Sequence, residues 1–248
     1  MSLRCCFAAL TVAGILVPLA LAGAQSGSPS SAPAAQPAPP VGEMKPLGRD
    51  RYQIGRIVVD KKAGRFTVPG RVHVVDRPLE YLATTPGGMK EYETLLEADA
   101  SGSEFNLACI LLGLERDPHQ EPFYQFSEKP VSGPRVSIRI AWQDGRKRRE
   151  VSAAEALLDP KGDVRPETVE WVYTGSLSNA ADGRFAADVT GTLVGFVHDA
   201  NSIIESVMGL GIGAYGSVSG NTALLPPVGA PIELIVEVQR GKPKPARP

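Results

Sequence analysis

The chain is short of cysteine, of net charge and of long apolar runs. It holds three cysteines in 248 residues. Cys5 and Cys6 sit at the head of the leading apolar segment, so Cys109 alone is left for a folded domain. One thiol closes no intrachain disulfide, and it builds neither a cysteine zinc site nor an iron–sulfur cluster. No cofactor is expected, and the fold must hold by its core, which this length allows. Lysine plus arginine total 26 against 27 for aspartate plus glutamate. That balance leaves no electrostatic footprint for nucleic acid. Beyond the first two dozen residues no apolar run approaches a membrane span, which excludes a multi-span protein. No internal repeat is visible. At 43% apolar and 21% charged residues the composition is that of a globular protein rather than a disordered one.

Residues Met1–Ala24 read as a signal peptide. Arg4 is the only charge, the apolar run from Cys5 to Leu21 is broken by Pro18, and Ala22-Gly23-Ala24 supplies the small-x-small cleavage pattern. The run is about 17 residues, the lower edge for a span, so a retained anchor is the alternative. Both cysteines open the run instead of ending it, so a lipoprotein signal is lacking. Export to the periplasm, cell envelope or extracellular space is expected, with no transmembrane segment after cleavage. Residues 25–47 are rich in proline, alanine and serine and predict a disordered tether. Residues 241–248 (GKPKPARP) predict a frayed basic tail.

The remaining stretch, 48–240, reads as one domain. Strand signals dominate. Tyr52–Asp60 and Arg65–Val75 are rich in β-branched residues and flank a turn-like Lys61-Lys62-Ala63-Gly64. Val136, Ile138, Ile140 and Trp142 alternate with Ser137, Arg139 and Ala141, and Asp144-Gly145 suits a type I′ hairpin, with Arg146–Val151 pairing back. Glu170–Leu177, Phe185–Val197 and Ile232–Val238 complete the strands. Ser101-x-x-Glu104 is a capping box that opens an apolar helix stopped by Gly113. Ser152-x-x-Glu155 predicts a second, short helix through Leu158, and a third is expected near Asn201 with Ile203, Ile204, Val207 and Met208. The expected class is α+β: a strand-rich single domain, mainly antiparallel, with two or three short helices.

Leu79–Leu114 (LEYLATTPGGMKEYETLLEADASGSEFNLACILLGL), Trp171–Ser176 (WVYTGS), Ala187–Gly191 (ADVTG), Asn221 and Leu225–Pro231 (LPPVGAP) follow one another in a distinctive order. In that order the chain resembles the YdjY-like domain of exported bacterial proteins over most of 50–238. The resemblance implies an envelope location and little defined biochemistry. Some members of that family are described as ferredoxin-like with cysteine clusters, and this chain departs from them in keeping only Cys109. It also has Tyr92 where the family often has histidine.

Glu80, Lys90 and Glu93 lie on strand-like segments either side of Pro86-Gly87-Gly88. If these segments form a hairpin, two carboxylates meet one lysine, the ingredients of mutual pKa shifts in acid–base sites. A solvated face of charge pairs is the competing reading. Asp188 and Asn221 offer oxygen donors to a ligand or cation, or alternatively shape a turn. His73, His119 and His198 lack zinc spacing. His198-Asp199 with Ser176 lacks the nucleophile elbow of a hydrolase. The glycine-rich run 209–220 has neither a dinucleotide fingerprint nor a Walker lysine. The basic run Arg146–Arg149 is either a solvated face or a contact for an anionic surface. Two functions fit: a non-catalytic exported module binding an envelope protein or small ligand, or a metal-binding protein or enzyme using Glu80, Lys90, Glu93 and Asp188.

Overall fold

The computed structural model describes residues 42–125, 127, 129–159, 169–178, 183–209 and 217–240. The expected signal segment, most of the tether, the basic tail and the centre of the glycine-rich run lie outside them. The elements are β1 (Met44–Gly48), β2 (Arg51–Ile54), β3 (Ile57–Asp60), β4 (Arg65–Val72), β5 (Tyr81–Thr84), β6 (Thr94–Ala98), α1 (Gly102–Leu111), β7 (Arg135–Asp144), β8 (Lys147–Ser152), β9 (Leu157–Leu158), β10 (Trp171–Tyr173), α2 (Ala186–Thr190), β11 (Thr192–Gly195), β12 (Ile204–Ser206), β13 (Ser219–Gly220) and β14 (Pro231–Val238).

Eight strands close into a barrel in the order β4-β14-β7-β10-β12-β11-β5-β6, with β6 returning to β4. The expected α+β class is therefore overturned. The domain is mostly β, and its described helices are a ten-residue α1 and a five-residue α2. Closure hinges on β4, whose two halves are shared on one edge. Val58–Asp60 pair with Arg65–Thr67, whereas Gly70–Val72 pair with Leu96–Ala98. Gly70 makes this seam possible, because a Cβ there would overlap the Glu97 carbonyl. Closing the ring pairs the edges of its own strands, which left open would invite aggregation. The β1-β2-β3 meander continues from β4 outside the ring. Its first strand, at the end of the proline-rich stretch, is exposed throughout.

Alternation places Phe66, Val68, Val72, Leu96, Val194, Ile204, Trp171, Ile138, Ile140, Leu234 and Val236 in one core. Complete burial of each such side chain contributes about 1.5–3 kcal/mol. Phe105 of α1 meets Phe66 edge-on at 5.0 Å. The Ser101 hydroxyl accepts from Glu104 N while Glu104 Oε2 accepts from Ser101 N, and Gly113 terminates the helix at φ 84°. Cys109 is wholly buried, and burial pushes its thiol pKa up, which leaves it an unreactive core group.

Several local expectations fail for identifiable reasons. The second capping box forms, with Ser152 N and Oγ both donating to Glu155 Oε2, but it closes only a turn before β9. The expected third helix is β12, because Ile204–Ser206 fills the gap between β10 and β11 in the ring. The expected long strand 185–197 begins as α2, and Gly191 at φ 77° turns the chain into β11. The β7–β8 hairpin forms in register, Asp144 opposite Lys147, but Gly145 at φ 60° is the turn's one residue with positive φ, the pattern of type II′. The expected hairpin of Leu79–Thr84 with Lys90–Leu96 is instead a parallel pair, Tyr81 beside Thr94 and Thr84 beside Glu97. Among the described residues no helix is long and apolar enough to cross a membrane.

Candidate functional site

The parallel pairing still brings three of the expected residues together. Residues 85–93 loop out between β5 and β6 and return through a 3₁₀ turn, Glu91–Glu93. Glu80 N donates to the Glu93 carbonyl at 3.0 Å, which aligns the starts of the two strands. Lys90 Nζ lies 3.0 Å from Glu93 Oε2 and 3.7 Å from Glu80 Oε2. It also donates to the Tyr92 hydroxyl at 3.4 Å and sits 5.5 Å from that ring's centre. Partial burial works against the Lys90 ammonium, yet hydrogen bonds to Glu93 and Tyr92 and the charges of Glu80 and Glu93 outweigh it and raise its pKa. Glu80 is 4% exposed, and Gln125 Nε2 donates to its Oε2 at 2.8 Å.

Beside this cluster lies a second one that the sequence did not announce. The Tyr81 hydroxyl donates to Asp199 Oδ2 at 2.9 Å, and Asp199 N donates to Glu205 Oε1 at 3.1 Å. Gly195 pairs with both Tyr81 and Glu205, and a Cβ on it would overlap the Glu205 carboxyl. Glu205 is fully buried, with the Ser202 side chain beside its carboxyl. Burial drives its pKa well above the ordinary value, the Asp199 N–H pulls it down, and the Asp199 charge adds to the rise. Burial, then Asp199, likewise raises the Tyr81 pKa, so the phenol keeps its proton.

A loop, residues 115–134, ties both clusters to a cavity. Gln125 anchors it to Glu80, Val131 N donates to the Val207 carbonyl, and His198 Nδ1 lies 2.8 Å from the Ser127 carbonyl. Phe123 packs edge-on against the His198 ring at 5.9 Å. The described residues of this loop border a half-open cavity of about 420 Å³ lined by His119, Phe123, Tyr124, Lys129, Pro130 and Ser132 among others. That volume lies within the usual range for small-molecule sites.

The other expected site residues serve the frame. Asp188 accepts from Ser103 N at 2.8 Å and from the Ser103 hydroxyl, which satisfies an N-terminal amide of α1. It precedes β11, whereas Glu80 bonds to Phe196 at the far end of that strand. Asn221 Nδ2 donates to the Glu155 carbonyl at 3.0 Å, and its own carbonyl accepts from Leu224 and Leu225. Ser176 Oγ donates to the Asn201 carbonyl while His198 Nε2 faces the Ser206 carbonyl, so no serine–histidine pair forms. In the basic run, Arg148 pairs with Glu233 and Arg149 with Asp144.

The same ordered blocks, now seen as barrel strands and the α1–α2 contact, match a family model. The YdjY domain model covers residues 57–237. The chain belongs to the YdjY domain family. No curated protein and no solved structure gives a significant match. The YdjY match starts at β3 and ends in β14, so it spans the whole ring of eight strands together with both clusters and the loop cavity.

Proposed function

We propose that this YdjY domain is an exported, non-catalytic module that binds a small organic ligand in the cavity of the 115–134 loop. The cavity itself carries this reading. It joins about 420 Å³ of half-open space to Pro122, Phe123, Tyr124 and Pro130, and six polar or charged residues, His119, Glu121 and Lys129 among them, complete the lining. Such a lining receives a planar apolar group and orients it through a small number of hydrogen bonds. Its serine hydroxyls are engaged with an amide and a carboxylate, Ser127 Oγ accepting from Tyr124 N at 3.1 Å and Ser132 Oγ donating to Asp117 Oδ2 at 2.6 Å, rather than with an imidazole base. The Glu80–Lys90–Glu93 cluster steadies the loop through Gln125. An alternative metal or catalytic centre on Glu80, Lys90, Glu93 and Asp188 lacks support from Asp188, which is committed to α1 at the other end of β11.

Native mass spectrometry of the chain, purified from an exporting host, tests the proposal. The expected result is a chain beginning near Gln25 that carries a small organic mass released on denaturation. Phe123→Ala should lose most of that mass. A clean apo chain, even after incubation with envelope small-molecule extract, overturns ligand binding. A retained mass indifferent to Phe123→Ala overturns the cavity.

A further inference from the structure

A different group of side chains, on the outer face of the barrel seam, points to a metal. Arg71 and Glu97 are register partners across β4 and β6, and His73 N continues that ladder by donating to the Leu95 carbonyl at 2.8 Å. Residues two apart on a strand share a face, so Arg71 and His73 both lie on the side that carries Glu97. Glu97 is 2% exposed, and its Oε2 is held by ion pairs with Arg71 and with His73 Nδ1 at 3.3 Å. The 3₁₀ turn delivers Glu91 to the same place. One donor atom from each of His73, Glu91 and Glu97 lies within 4.8 Å of the other two. Thr84, the register partner of Glu97 on β5, is an independent sign. Its hydroxyl is fully buried and has no hydrogen-bond partner. A buried orphan hydroxyl on the face of a buried carboxylate is a costly arrangement, and a metal-bound water would satisfy it.

We propose that His73, Glu91 and Glu97 bind a divalent transition-metal ion of the zinc class. One imidazole nitrogen and two carboxylate oxygens form a borderline donor set that suits this class better than calcium or magnesium. Three protein donors leave a fourth position for water. Arg71 is half-exposed and competes with the ion for the Glu97 carboxylate. It supplies the positive charge that a buried carboxylate needs in the metal-free protein. The site is independent of the loop cavity, because none of its residues lines that space.

Calorimetric titration of the chelator-treated chain with Zn²⁺, and visible absorption after titration with Co²⁺, test the assignment. One equivalent should bind, with Co²⁺ bands typical of mixed nitrogen and oxygen ligands. His73→Ala should weaken binding at least as much as the roughly 10–100-fold cost of losing a group that supports a ligand. Glu97→Gln should do the same, and His73→Ala, at a half-exposed position, covers the case in which the buried Glu97 variant fails to fold. Arg71→Met should tighten binding several-fold. Absence of one-equivalent binding overturns the proposal. So does binding unchanged by His73→Ala, or binding lost instead in His119→Ala. Phe123→Ala should leave metal binding intact, which separates a failure here from a failure of the ligand cavity.

Discussion

Glu205 has a fully buried carboxyl group that accepts from the Asp199 N–H on one oxygen and lies beside the Ser202 side chain. Its neutral form is the one the fold accommodates, since an isolated buried carboxylate is costly. The sign follows from the raised pKa. The unfolded chain releases this proton near pH 4.5, while the folded chain keeps it to higher pH. Stability from the neutral group is therefore full below the ordinary carboxyl range and is lost as pH rises through the folded pKa, with a slope of up to about 1.4 kcal/mol per pH unit. Glu205→Gln keeps the shape and removes the titration. Urea midpoints measured upward from about pH 4.5 should fall for the native chain relative to this variant, and parallel curves would refute the assignment. At this scale legibility tracked sequence distance. Glu80, Lys90 and Glu93 lie close together in the chain, and their meeting could be read from it. Tyr81 and Asp199 are 118 residues apart, and Glu97 meets His73 only through the seam, so no local pattern marks them. Gly195 was the nearest thing to a signal, a glycine that ends β11 inside the apolar stretch Leu193–Val197.

Elements were legible where local hydrogen bonds and tertiary demand agree. Ser101 and Glu104 predict the start of α1, and the start is there because the orphan amides of a helix need those acceptors wherever the helix packs. Ser152 and Glu155 make the same bonds, yet the chain is drawn away into β9, which pairs with β13. Asn201–Met208 has helical spacing on paper, but the barrel needs a strand between β10 and β11, and β propensity of paired isoleucines costs little to satisfy there. Asp188 belongs to this scale as well, since it reaches from α2 to the first turn of α1. Asp188→Ala should destabilise the fold by about 1–2 kcal/mol in chemical denaturation. Asp188→Asn should cost less, because an amide oxygen still accepts from Ser103 N. Neither should alter the retained ligand mass, and a lost mass in a folded Asp188→Asn protein would return Asp188 to the site.

The whole molecule was the least legible scale. The strands were mostly visible from their alternation, but closure depends on long-range pairings: β4 splitting its edge between β3 and β6, and β5 meeting β6 in parallel across a nine-residue connection. Neither leaves a mark in periodicity, which reports the faces of a strand and not its neighbours. Closure is also what turns the 115–134 loop into a site. The ring fixes Glu80 and His198, and these hold Gln125 and Ser127 in place. Amide hydrogen exchange, with and without the small-molecule extract of an exporting host's envelope, addresses that arrangement most directly. Exchange should slow only over residues 119–132, with β4, β7 and β14 equally protected in both states. Exchange that does not slow in this loop, or that slows only elsewhere on the barrel, would contradict it.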